Sequence, residues 1–313
     1  MKFFNLYTAT ERLKNGKALP QPVALFDHLW VEGETCILFA TSNVGKSLLA
    51  VQIGQAIASG KNIGGFFVSG APQGVLYYDF ELSDRQFFTR YKDFEFSDNL
   101  SFALPKHLTD EVKTFQQFEK ERLNEIQAAV KDGGFKVVII DNLTWINGDS
   151  EKGNVSAKFM QEIQGFARKN NISVLVIAHT PKRNNIQPLG MNDLFGSSML
   201  SNFVDSMFAI GESTTGHEMR YIKQIKVRNA EKVYHYGKVQ TCKIGKNEAG
   251  FLGFTKLETE SENLHLKLIN QEKRTELKEK AKEMNDKGQS LRGIAKTLGV
   301  SHTTVKAYLK DGG

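Results

Sequence analysis

Between a short apolar run, Thr35-Cys36-Ile37-Leu38-Phe39, and a helix-patterned stretch from Leu48 to Ser59 lies Ala40-Thr41-Ser42-Asn43-Val44-Gly45-Lys46-Ser47. Strand, glycine-bearing turn and helix, in that order, are the setting of a phosphate-binding loop, here with Ala40 where the strict pattern has glycine. Such a turn aims successive backbone N–H groups at a phosphate, with the positive end of a helix dipole behind them. Thr41, Ser42, Asn43, Val44, Gly45, Lys46, Ser47 and Leu48 are the residues expected to hold the phosphates. Lys46 would reach the β- and γ-phosphates, and the Ser47 hydroxyl would hold Mg²⁺. The expected ligands are therefore ATP and Mg²⁺. The motif also constrains the fold, because it works only at the carboxyl end of a strand in a parallel sheet.

The rest of the chain reads accordingly. Apolar runs without alternation occur at Val75–Glu81, Lys136–Asp141 and Ile172–Ala178. Helical patterns lie between them, near 84–91, 110–131 and 155–169, as in a mostly parallel sheet covered on both faces. Residues 1–30, punctuated by Pro20 and Pro22, read as an irregular lead-in, and Leu29–Glu34 as a turn into the first core strand. From 219 to 270 the pattern changes. Met219–Val227 and Lys232–Thr241 alternate as antiparallel hairpin strands do, and are expected to extend one edge of the sheet. The stretch 255–274 is charged and weakly patterned, and the boundary to a small all-α domain is placed near 268–273, giving domains 1–270 and 271–313. The fold class expected is α/β, a P-loop core on a mostly parallel sheet with an antiparallel extension and a small all-α domain.

Composition limits the alternatives. The net charge of +6 favours an anionic partner only weakly. Cys36 and Cys242 fit neither a metal-ligand spacing nor a disulfide framework. No apolar run approaches the ~18 residues of a membrane span. Glu11, Arg12 and Lys14 argue against a signal peptide, so the expected location is the cytoplasm.

Two carboxylates stand at strand ends where a γ-phosphate and its metal would lie. Glu81 can orient and deprotonate an attacking water, although it can also be read as a cap of the following helix. Asp141, at the end of Val137-Val138-Ile139-Ile140, fits a ligand of the Mg²⁺ shell. Together, Tyr77-Tyr78-Asp79-Phe80-Glu81-Leu82-Ser83 with Arg90, Val176-Ile177-Ala178-His179-Thr180-Pro181-Lys182, Asp193–Ser198 with Asp205, and Ile225-Lys226-Val227-Arg228-Asn229 resemble, in order, motifs of RecA-like hexameric helicases of the DnaB and plasmid RepA types. The resemblance spans roughly 22–250. It implies Glu81 as catalytic base, His179 as a γ-phosphate sensor, and Lys226 and Arg228 as cations reaching a neighbouring subunit's nucleotide. It further implies a homo-oligomer, a hexameric ring or a filament. The N-terminal domain of DnaB-type helicases has no counterpart in the sequence.

Loops after the Asp141 and His179 strands would face a central channel in such an assembly. Lys182 and Arg183 suit a single DNA strand's backbone, with Asn184, Asn185 and Gln187 beside them. Lys152 and Lys158 add charge, and Trp145 fits either base stacking or burial at the core rim. In the last segment, Leu277, Ala281 and Met284 mark a first helix, Leu291–Leu298 a second, and Val305, Tyr308 and Leu309 a third. Ala295, Gly299 and Val305 occupy the small, turn and locking positions of a helix-turn-helix. The stretch Gly288–Ser301 resembles the DNA-binding domain of resolvases and Hin-type invertases. Arg292, Lys296 and Lys306 are its expected phosphate contacts, with Ser301, His302, Thr303 and Thr304 at the start and exposed face of the reading helix. A three-helix protein-docking bundle is the alternative. The function expected is a DNA-acting, Mg²⁺-dependent ATPase, a helicase-like motor of a plasmid, phage or integrated element. An ATP-gated DNA-binding regulator and a helicase loader are the other readings.

Overall fold

A computed structural model describes residues 5–19, 21, 23–105, 115–143, 153–180, 185–194, 197–267 and 269–310. Its centre is a nine-stranded sheet built from β3 (Thr35–Ala40), β4 (Val75–Asp79), β5 (Leu100–Ala103), β6 (Val137–Asp141), β7 (Ser173–His179), β8 (Ser206–Glu212), β9 (Met219–Lys226), β10 (Val239–Lys246) and β11 (Leu252–Glu260). The spatial order is β11-β10-β9-β8-β3-β7-β6-β4-β5, parallel from β8 to β5 and antiparallel from β8 to β11. The antiparallel strands thus extend one edge of the parallel sheet, but only β9 falls where a strand was expected: its neighbour is Val239–Lys246 rather than Lys232–Thr241, because the chain turns over 232–238.

Side-chain alternation along β3 explains the layers. Cys36, Leu38 and Ala40 face a core filled by α2 (Lys46–Ser59), while Ile37 and Phe39 face the other side. That second side holds Leu123, Ile126 and Val130 of α4 (Phe115–Gly133) and Phe159, Met160 and Ile163 of α5 (Gly153–Asn170). Both faces of the sheet are therefore covered, which is why its parallel strands read as unbroken apolar runs. Helix α2 ends where expected, at Gly60, whose φ of 65° sits in the left-handed region.

Two expectations need correction. Residues 1–30 are not an irregular lead-in: α1 (Ala9–Ala18) starts at a capping box in which Thr8 and Glu11 satisfy each other's backbone N–H. A ribbon of β1 (Ala24–Phe26) and β2 (Trp30–Val31) follows, and Trp30 is fully buried with its indole N–H on the Glu34 carbonyl. The charged stretch 255–274, expected to be weakly patterned, also forms regular elements. It supplies β11, whose Lys256 reaches inward to Asp27 and Tyr234 while Glu258 stays exposed.

Among the described residues, the remaining α-helices are, besides α3 (Asp84–Tyr91) and a short α6 (Ser197–Asn202), α7 (Ile269–Asp286), α8 (Leu291–Leu298) and α9 (His302–Lys310). Ala281, Ile294, Ala295, Val305 and Tyr308 form their common core, joined by Leu264 from the preceding segment. Gly299, with φ of 65°, makes the turn between α8 and α9. A buried polar strap fastens that preceding segment to the sheet. Glu262 pairs with Lys223 at 2.5 Å and accepts from the Leu189 amide, and the Lys267 amide donates to the Asn185 carbonyl. His265 stacks on Tyr221, and burial pulls its imidazole down to about 4.

Candidate functional site

The loop between β3 and α2 owes its shape to two residues in the left-handed region, Asn43 (φ 63°) and Gly45 (φ 106°). These turn the backbone into a concave anion nest at the start of α2. Gly45 is required for space as well as for angle: a Cβ there would lie 2.9 Å from Phe254 Cζ and 3.1 Å from Ile244 Cδ1. Both rows of side chains come from the antiparallel extension, which therefore braces the loop. Gly45→Ala is expected to deform the nest and weaken nucleotide binding by about tenfold or more, the scale of one strained backbone residue. Titration with a fluorescent nucleotide checks this, an unchanged affinity counting against the nest.

Lys46 is buried, and its ammonium donates to the Ala40 and Thr41 carbonyls at 3.1 and 2.8 Å. Burial lowers its pKa, against the pull of Glu81 and Asp141. Ser47 follows at the head of α2. Val44 is buried, Ser42 and Asn43 are exposed, and Thr41 and Leu48 are half-buried.

The carboxyl ends of β4, β6 and β7 deliver the remaining groups, because the three strands are neighbours in the sheet. Glu81 lies beyond β4, where its carboxylate meets His179 Nε2 at 3.0 Å and accepts a short hydrogen bond from the Asn142 amide. Those contacts, led by the bond to His179, and the nearby Lys46 hold the Glu81 carboxyl below its usual pKa. It is thus a charged group at the mouth of the site. Its position disposes of the capping alternative: Ser83 caps α3, paired reciprocally with Gln86. Asp79 is buried and accepts from the Glu81 and Leu82 amides, which fixes the turn that presents Glu81.

Asp141 is almost wholly buried. Desolvation pushes its carboxyl up to about 6, opposed by the Tyr77 hydroxyl at 2.7 Å and by the nearby Ser47 hydroxyl. Among the described residues, Asp141 Oδ1 is buried with no hydrogen-bond partner. A buried, unsatisfied carboxylate oxygen beside a hydroxyl is the donor set that a hard divalent cation takes. Ser47 and Asp141 therefore fit Mg²⁺.

The structure thus brings Lys46, Ser47, Glu81, Asp141 and His179 to one end of the sheet. Lys226 and Arg228 lie at the other. Lys226 pairs with Met207, which is level with Ile37 on β3. At about 3.3 Å per residue, Arg228 is then roughly 15–20 Å along the strand direction from the loop after Ala40. Lys226 donates to the Ser201 and Val204 carbonyls, while Arg228 is partly exposed and ion-paired with Asp205 at 3.4 Å. Lys182, Arg183 and Trp145 lie outside the described residues, as does Lys152; Lys158 is exposed on α5. Among the C-terminal residues, Arg292, Lys296, Thr303 and Lys306 are exposed, and His302 and Thr304 half-buried. Ser301 corrects the expectation of an exposed position: it is buried, its amide bonded to Glu260.

Two neighbours of the site went unread. Asn142 follows Asp141 directly and touches both Glu81 and His179, at 2.9 Å from the latter. Its polarity at a strand end was the available signal. Arg220, at the opposite end of β9 from Lys226, donates through Nε to the Val44 carbonyl. Only the strand register reveals that contact.

Residues 6–185 match the model of the AAA domain family, more than half of the chain. Among solved structures, a KaiC-like protein from the hyperthermophilic archaeon Pyrococcus horikoshii OT3 superposes with a TM-score of 0.53 at 15% identity, covering 73% of this chain and 91% of that one. No curated protein sequence matches significantly. Among the described residues no helix is long and apolar enough to cross a membrane. The chain belongs to the AAA domain family, and its RecA-like core is that of a P-loop ATPase.

Proposed function

We propose that this protein is an oligomeric, Mg²⁺-dependent ATPase that acts on DNA as a helicase-like motor, in replication or mobility of a plasmid, phage or integrated element. The observation that supports hydrolysis, rather than nucleotide binding alone, is the contact of Glu81 with His179 and Asn142 at the end of the sheet that carries Lys46. The loop amides and Lys46 bind the triphosphate of ATP. Glu81 takes the proton of the attacking water, the bond from γ-phosphorus to the bridging oxygen breaks, and ADP leaves. His179 and Asn142 hold the carboxylate in place and sense whether a γ-phosphate is present. Ser47 and Asp141 would hold Mg²⁺, which when bound neutralises charge on the β- and γ-phosphates.

The DNA assignment rests on the cations. Arg292 and Lys296 of α8 and Lys306 of α9 remain exposed on a segment proposed as a helix-turn-helix that meets duplex DNA. Lys182 and Arg183 are the proposed contacts to a single strand in the channel of a hexameric ring or filament. ATP turnover with and without single-stranded DNA, beside a strand-displacement assay, tests the motor. Stimulated turnover with displacement is expected. Stimulation without displacement would point instead to an ATP-gated regulator or a loader. Truncation from about Glu272 is expected to keep ATP binding and to lose most duplex binding at matched salt. Equal duplex binding by both forms would reject the reading role and favour a protein-docking bundle.

A further inference from the structure

The amino end of α9 is already engaged. Glu260 Oε1, buried at the end of β11, accepts from the Ser301 amide at 3.0 Å and from the Thr304 hydroxyl at 2.7 Å. Glu258, two positions earlier on the same face of β11, accepts from the His302 amide at 3.3 Å. The Ser301 hydroxyl meanwhile accepts from the Thr304 amide and contacts the Thr303 hydroxyl. Two of the orphan N–H donors at the start of α9, those of Ser301 and His302, are therefore spent on carboxylates of β11. Free N–H groups at a helix start, together with Ser and Thr hydroxyls, are groups that position a protein on a DNA phosphate. A carboxylate there satisfies the same donors with the same sign of charge.

This contact is polar and incompletely packed. A cavity of about 220 Å³ opens between α9 and the sheet edge, lined among others by Thr241, Lys243, Arg274 and Tyr308. Among the described residues, the hydroxyl of Thr241 is buried with no hydrogen-bond partner. By contrast, the apolar contacts that hold α7, α8 and α9 together, centred on Ala281, Ile294 and Val305, are fully buried. Apart from Leu264 of the preceding segment, that core draws only on the three helices, so they can swing off β11 about this segment while keeping most of it.

We propose that Glu258 and Glu260 form an intramolecular latch, standing in for DNA phosphates at the start of α9, so that duplex binding requires the C-terminal helices to release β11. This rests on the DNA-reading role proposed above and adds its regulation. Arg292, Lys296 and Lys306 stay exposed in the latched state and give weak, sequence-independent attraction. The groups at the helix start become available only on release. A closed state populated above about 90% lowers apparent affinity about tenfold or more.

The test compares full-length wild type with the double variant Glu258→Ala/Glu260→Ala, using anisotropy of a labelled duplex at matched salt. The variant is expected to bind about tenfold or more tightly, with unchanged DNA-free ATP turnover and faster hydrogen exchange at the Ser301 and His302 amides. A folded variant with unchanged or weaker duplex affinity, where wild-type binding is lost on truncation from Glu272, would overturn the latch alone. Failure of wild type and variant alike to bind duplex at low salt would overturn the reading role and the latch with it. Should the variant not fold, exchange in the wild type decides: duplex DNA should speed exchange across 257–261, and protection or no change there would reject release.

Discussion

Glu81→Gln is expected to bind ATP with near wild-type affinity and to hydrolyse it about 10²–10⁴-fold more slowly, the usual contribution of a positioned general base. The amide keeps the size of the side chain and can still accept one hydrogen bond, from Asn142 or His179. What it loses is the ability to take the water's proton. Single-turnover hydrolysis, run beside nucleotide titration, separates the two effects. Asp79 is a poor substitute base, because Oδ1 is committed to the Glu81 and Leu82 amides and burial raises its pKa. Near wild-type turnover in Glu81→Gln would therefore leave no second carboxylate at the end of β4 free to do the work, and the base would have to be sought elsewhere.

How much of this was legible depended on whether local pattern or register carried the information. The loop, α2 and the buried parallel strands were legible because phosphate binding and two-sided burial each impose a local signature. Glu81, Asp141 and His179 could be placed together because strand ends converge in a parallel sheet. The β1–β2 ribbon and β11 were not legible, since short or edge strands keep exposed charges such as Glu258 and blur alternation. α1 does carry a local signal, the Thr8/Glu11 capping box, but it is short, has no buried face, and is followed at once by Pro20 and Pro22. Arg220 and the burial of Ser301 depend on elements far apart in the chain, Val44 with β9 and Glu260 with α9. No local pattern encodes such contacts.

Arg228→Ala is expected to lower ATP turnover by about 10³–10⁵-fold while leaving each chain's own phosphate loop intact, if the cation acts on a neighbour's nucleotide. The geometry motivates the trans reading. Arg228 sits at the amino ends of the parallel strands, and the loop it would have to reach lies at their carboxyl ends. Within one chain the body of the sheet stands between them. Lys226 is turned inward onto the Ser201 and Val204 carbonyls, so Arg228 is the more accessible cation of the pair. Its guanidinium is exposed, and the buried Asp205 keeps an ion pair with Arg168 at 3.1 Å when Arg228 turns to a phosphate. Mixing separates this role from a structural one. Lys46→Ala chains cannot bind ATP productively but carry an intact Arg228; Arg228→Ala chains carry an intact loop but no finger. Each preparation alone should be nearly inactive. Mixed, a fraction of interfaces joins an intact loop to an intact Arg228, and activity should rise with the product of the two mole fractions. No recovery at any ratio, with subunit exchange shown independently by energy transfer between labelled chains, would place Arg228 outside the phosphate site of any subunit.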